Sequence, residues 1–148
     1  MKHFILTAVI FLITASFSFA QSAGGDAVCG EWYTTIKDAK IQISNTNGKY
    51  SGKIVWLKEP NDKNGKAKID DKNPDEKLRS RQVIGLAMLK NFYYSGDNVW
   101  KGGEIYDPKS GKTYSCKMTL DESGKKLEVR GFIGISLIGR TEHWTRVD

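Results

Sequence analysis

The sequence predicts an all-β fold: an antiparallel β-barrel of about eight strands with one short helix on a long loop. Three observations carry this expectation. Short runs of period-two alternation recur along the chain, each run ends in a turn signal, and glycines sit within the runs where a sheet must bend to close. Closure also removes the two exposed edges that an open sheet would leave.

Met1 to Ala20 precede the strands and read as a secretory signal. Lys2 and His3 form a polar start, Phe4 to Phe17 an apolar core, and Ser18-Phe19-Ala20 a small-x-small cleavage pattern. The apolar run is shorter than the roughly 20 residues that a membrane span needs. Residues 1–20 are therefore expected to be a signal peptide, and residues 21–148 a single domain that is exported, to the periplasm or beyond the cell, and does not span a membrane. Without Lys2 the chain has 22 basic residues against 17 acidic ones, a net charge of +5. That charge is dispersed among turns and alternating runs, as on a soluble surface. Export and the scattered acidic residues both argue against a nucleic-acid partner.

After the small, polar stretch Gln21 to Ala27, the first runs are Trp32, Thr34, Ile36; then Ile41, Ile43; then Tyr50, Ile54, Trp56. The turn signals "KDAK", "NTNGK" and "EPND" follow them in order. Alternation stops between Glu59 and Arg81. There Asn73-Pro74-Asp75-Glu76 predicts a helix start, with Asn73 as N-cap, Pro74 at the first position and Glu76 closing a capping box. "QVIGLAMLKNF" fits both a strand and a helical turn, and is read as mainly extended. "VWKGGEIYD" and "KTYSCKMTL" flank "PKSG" as a hairpin, and the second run sets Tyr114, Cys116, Met118 and Leu120 on one face. "DESGK" leads into "LEVRGFI", where Leu127, Val129, Ile133 and Ile135 alternate as an inward face. "ISLI", between Gly134 and Gly139, is an apolar bend at one barrel end, and "RTEHWTRV" is the last strand.

Cys29 and Cys116 are an even pair in a chain expected to meet an oxidising compartment, so a disulfide is expected, with two buried thiols as the alternative. Several chemistries are argued down. His143 is the single histidine after Ala20, which removes His-rich zinc sites and paired-His catalysis. Asp71-x-Asn73-x-Asp75 starts like a calcium loop, but Glu76 stands where glycine is required and Gln82 where a bidentate Glu belongs. No metal, cofactor or catalytic residue is expected. Period-two counting groups Glu104 with Trp100 and Tyr106, and Glu142 with Arg140, Trp144 and Arg146. If those faces point inward, carboxylates and guanidinium groups beside aromatics can anchor a ligand head group; the alternative is that they neutralise one another at a barrel end.

The segments "GEWYT", "GKYSGKIVWL", "DDKNPDEKLRSRQVIGLAML", "WKGGEIYDPKSGKTYSCKM" and "LEVRGFIGISLIGRTEHWTRV" resemble, in that order, the bacterial domain-of-unknown-function family two-one-four-seven. These are small exported proteins similar in fold to lipocalins. The resemblance implies a lipocalin-like barrel. It also implies that Gly30-x-Trp32 is an opening motif whose Trp packs at the closed end beneath a late-strand Arg, with Arg140 and Arg146 as candidates. It further implies a non-catalytic protein holding a small apolar or amphipathic ligand. The residues expected to line the site are Tyr50, Trp56, Met118 and Ile133, with Trp100, Glu104, Tyr106, Tyr114, Leu137, Arg140 and Trp144 around them. The alternative is a ligand-free cell-envelope protein with a filled barrel and an interacting surface.

Overall fold

Each alternating run becomes a strand paired with the next in the chain. The computed structural model describes residues 24–148; the expected signal peptide at Met1 to Ala20 lies outside the described residues. The strands are β1 (Gly30–Tyr33), β2 (Ala39–Thr46), β3 (Lys49–Leu57), β4 (Ala87–Tyr94), β5 (Val99–Asp107), β6 (Lys112–Leu120), β7 (Lys126–Phe132) and β8 (Gly139–Arg146). All pairings are antiparallel, and β1 returns to β8 through Trp32 opposite Arg146 and Tyr33 opposite Thr145, so the barrel is closed. The expected eight-stranded barrel is the fold observed. No helix among the described residues is long and apolar enough to cross a membrane.

The interior is apolar and dense. Trp32, Trp100 and Trp144 are fully buried, packed with Phe92, Met118 and Leu127. Outward positions such as Lys53, Lys90 and Lys101 are exposed. Apolar-in and polar-out alternation is what drives such a sheet to curl around its own core.

Two bulges overturn the simple face counting. Lys40 pairs with Trp56 but Ile41 pairs with Ile54, so Val55 has no partner and the parity of β3 changes. Trp56, expected inside, therefore lies on the outer face, 38% exposed, edge-on to Tyr33 with the Lys40 ammonium 5.7 Å from its ring centre. On β5, Trp100 pairs with Met118 and Gly103 with Cys116, so one extra residue is inserted. Gly102 takes φ +73°, and a Cβ on Gly103 would run into the Phe92 ring. Beyond this bulge Ile105 turns to the core, while Glu104 is exposed and Tyr106 is buried outside the barrel core. The expected grouping of Trp100, Glu104 and Tyr106 on one inward face is thereby corrected.

Three further expectations change. The helix on the β3–β4 loop is a single 3-10 turn, Glu76–Leu78, capped by Asp75, whose carboxylate accepts from Lys77 N at 3.0 Å. Asn73 is instead buried one turn earlier, its Oδ1 accepting from Asp75 N at 2.9 Å. β7 ends at Phe132, so Ile133 and Ile135 are exposed rather than inward. The disulfide is not formed: Cys29 and Cys116 are both free thiols. Cys116 is fixed in mid-strand on β6 between Gly103 and Gly131, whereas Cys29 follows a 3-10 turn, Asp26–Val28, that leads into β1. An even count in the sequence cannot supply the close approach a bridge requires.

Candidate functional site

One end of the barrel is plugged by the chain that leads into it. Val28 is fully buried in the core, and the backbone of Gly25 to Cys29 is held by side chains from several strands. Trp100 donates its indole N–H to Gly25 O at 3.1 Å, and Trp32 donates to Val28 O at 2.8 Å. The Tyr50 hydroxyl donates to Asp26 at 3.0 Å. Burial and then the nearby Asp26 carboxylate push Tyr50 up to about 12. Arg146 donates to Cys29 O at 2.9 Å, to Ala27 O and to Gly124 O at 2.7 Å, while its guanidinium covers the Trp32 ring at 4.2 Å. Of the two candidate arginines, Arg146 occupies this place. Gly30 sits beside it at φ +125°, with Arg146 Nη1 3.0 Å from where a Cβ would stand.

The opposite end has a half-exposed top layer. Leu57, Val83, Met88 and Ile105 are partly buried against the core. Ile105 pairs with Tyr114, itself half-buried, and Gly131 lies beside both, leaving a notch where a side chain would otherwise stand. Glu142 reaches this level from β8, accepting from the Trp144 indole at 3.2 Å and standing 3.8 Å from Arg140 Nη2. Leu137 and Arg140 lie at this end, strongly exposed. Arg130, on the outer face of β7, holds the β7–β8 loop through Ser136 O at 2.6 Å, Leu137 O at 3.2 Å and Thr141 Oγ1 at 2.7 Å.

The predicted site residues are thus divided among four places. Tyr50 and Trp100 pack at the plugged end, and Met118 and Trp144 lie in the filled core. Tyr114, Leu137 and Arg140 stand at the open end. Trp56, Glu104 and Ile133 are exposed, and Tyr106 is buried on the outside. Tyr50, Trp56, Met118 and Ile133 therefore do not line one cavity. Sequence reading missed Ile105 and Met88 at the opening; the Gly102-Gly103 doublet, a bulge signal, was the clue to Ile105.

Tyr106 belongs to a network that pins the β3–β4 loop to the barrel wall. Its hydroxyl donates to Asp70 Oδ1 at 2.6 Å, and Asn73 Nδ2 and Arg81 Nη2 reach Asp70 Oδ2 at 2.8 and 2.9 Å. Burial by itself would raise the Asp70 carboxyl, but hydrogen bonds from Tyr106, Asn73 and Arg81 outweigh it and hold the group below its ordinary value. Burial and then Asp70 push Tyr106 up to about 12. An open depression of about 410 Å³ lies on the same loop, lined in part by Asp62, Lys66, Asp71 and Gln82. No cluster of His, Cys, Asp and Glu suited to a metal occurs among the described residues.

A comparison with curated proteins finds no match. Among solved structures, the chain is similar to HP1028 from Helicobacter pylori, described as belonging to the lipocalin family, at 27% identity and a TM-score of 0.72, covering 82% of this chain and 83% of the other. The closed eight-stranded antiparallel barrel agrees with that likeness. Residues 30–146 match the family described as an uncharacterized protein conserved in bacteria, DUF2147, and this chain, a lipocalin-like barrel, belongs to that family.

Proposed function

We propose that the protein is an exported, non-catalytic barrel that binds a small apolar or amphipathic molecule at its open end. The observation that carries this reading is the half-exposed pair Ile105 and Tyr114 beside the Gly131 notch, with Glu142 and Arg140 at its rim. Apolar walls with a few convergent polar groups are the usual make-up of a ligand site. The likeness to a protein described as a lipocalin supports it. Because three buried Trp side chains fill the lower barrel, the ligand sits shallowly, with its apolar part on Ile105 and its polar part toward Glu142 and Arg140.

The test is titration with an environment-sensitive fluorescent fatty-acid analogue. Saturable binding to the wild type is expected, lost in Gly131→Leu, whose side chain fills the notch beside Ile105 and Tyr114. A wild type that binds neither this analogue nor a panel of apolar probes would overturn the reading. The dense packing of Trp32, Trp100 and Trp144 would then favour a second one, a filled barrel acting at the cell envelope through its surface alone.

A further inference from the structure

The open end carries an apolar surface that the barrel itself does not use. On the β7–β8 loop Ile133, Ile135, Leu137 and Ile138 are 72, 59, 85 and 69% exposed, and on the β1–β2 loop Ile36 is 73% exposed. Both loops lie at the same end of the barrel, and the first is tied to β8, where Thr35 and His143 exchange hydrogen bonds at 3.1 and 3.2 Å. The exposed side chains are held out rather than folded over the opening. Arg130 grips the carbonyls of Ser136 and Leu137, and a turn closes from Ile138 N to Ile135 O at 3.1 Å. Contiguous exposed aliphatic groups on a protein surface mark a place where something apolar is met.

Charge identifies the kind of surface that is met. Lys37 follows Ile36, Arg140 is the second residue of β8, and Lys112 opens β6 at the same end, opposite Asp107. Beside the β7–β8 loop the nearby acidic groups are engaged, and the long β3–β4 loop at the same end carries eight Lys and Arg against six Asp and Glu. Asp38 is paired with Lys109 at 2.9 Å, Asp107 accepts from Ser110 at 2.7 Å, and Glu142 faces Trp144 and Arg140. Between Gly131 and Arg140 there is no acidic residue. Aliphatic tips on a net basic end are complementary to acyl chains lying beneath anionic head groups.

We propose that the open end docks reversibly on an anionic lipid surface, with the β7–β8 loop and Ile36 inserted between head groups and Lys37, Lys112 and Arg140 resting on the phosphates. This holds whether or not the barrel carries a ligand, and it would place the opening against the bilayer.

The chain from Gln21 onward contains the whole barrel and excludes the apolar N-terminal segment. It would be sedimented with vesicles of phosphatidylcholine containing phosphatidylglycerol, and with vesicles of phosphatidylcholine alone. Binding is expected to the anionic vesicles, weaker in 0.5 M salt. It should fall about tenfold or more both in Leu137→Ser/Ile138→Ser and in Lys37→Glu/Lys112→Glu. All four positions are exposed, so unchanged thermal melting would show that both variants are folded. The proposal is overturned by a wild type that fails to sediment at low salt, or by a Leu137→Ser/Ile138→Ser variant that sediments as well as the wild type. A solution dimer that this variant dissociates, without vesicle binding, would overturn it in favour of contact between two copies of the chain.

Discussion

The Arg146 guanidinium lies 4.2 Å from the centre of the Trp32 ring, joining the last strand to the first. The same group donates to the carbonyls of Ala27, Cys29 and Gly124, so a single side chain holds the plug, the first strand and the β6–β7 turn. Trp32→Ala should lower stability by about 3 kcal/mol or more, the cost of emptying a fully buried aromatic position. Arg146→Lys should not rescue Arg146→Ala, because an ammonium cannot reproduce the planar fork that reaches three carbonyls. Chemical denaturation of the three variants checks this. A Trp32→Ala loss below about 1 kcal/mol would be incompatible with the closure described.

Trp56 gives the contrasting result. It lies on the outer face with its edge against Tyr33, so Trp56→Ala should cost no more than about 1 kcal/mol. Gly103→Val, which drives a side chain into the Phe92 ring, should cost about 2–3 kcal/mol despite adding apolar surface. Urea midpoints for the two variants in parallel test the face assignment on either side of the bulges.

These two strands show how far the sequence was legible. Alternation identified the strands and the final hairpins, and the Gly30-x-Trp32 opening with a late Arg located the closure. It misplaced Trp56, Glu104 and Tyr106, because a bulge shifts parity by one and turns every later side chain to the other face. It also ran β7 through Ile135, whereas the strand stops at Phe132 and the aliphatic run continues as an exposed loop. Hydrophobicity alone does not distinguish a core segment from a surface that awaits an apolar partner. The role of Asp70 was hidden for a different reason: its partners Tyr106 and Arg81 are distant in sequence and meet only when the long loop folds back.

The Asp70 network predicts a pH dependence. Its carboxyl is held below the unfolded value of about 4, so its contribution is complete above about pH 5 and is lost as the pH falls through the lower folded value. Asp70→Asn should therefore flatten the acid side of the stability profile between about pH 5 and 2, and lower stability at pH 7 by about 2–3 kcal/mol. Tyr106→Phe should cost about 1–2 kcal/mol at pH 7. Denaturation midpoints across that range would decide. A parallel acid slope in Asp70→Asn would assign the effect to other carboxylates.

The two thiols should behave differently. Burial pushes Cys116 up to about 12, whereas Cys29 is only half-buried, its thiol raised by burial and then by Asp26. Protein unfolded without reductant should take up two equivalents of a thiol label. Folded protein at pH 8 should label at Cys29 first, with Cys116 reacting only as the barrel opens. Recovery of no free thiol after unfolding would show a bridge where the structure has two separate sulfurs.

The grip of Arg146 on Ala27 spans 119 positions, and it has a kinetic consequence. Trp32 holds Val28 O locally, but the seal over Ala27 is completed only from β8. The loop-closure entropy between the two ends must be met before Trp32 has a cation to stack on. The barrel should consequently fold slowly, as one late event once β8 is available, and pass through a state in which both β1 and β8 are unpaired edges. That late closure leaves the chain open until its final strand docks. It also makes Arg146 the residue whose loss should prolong exposure to proteases and edge-to-edge aggregation before any folded molecule exists.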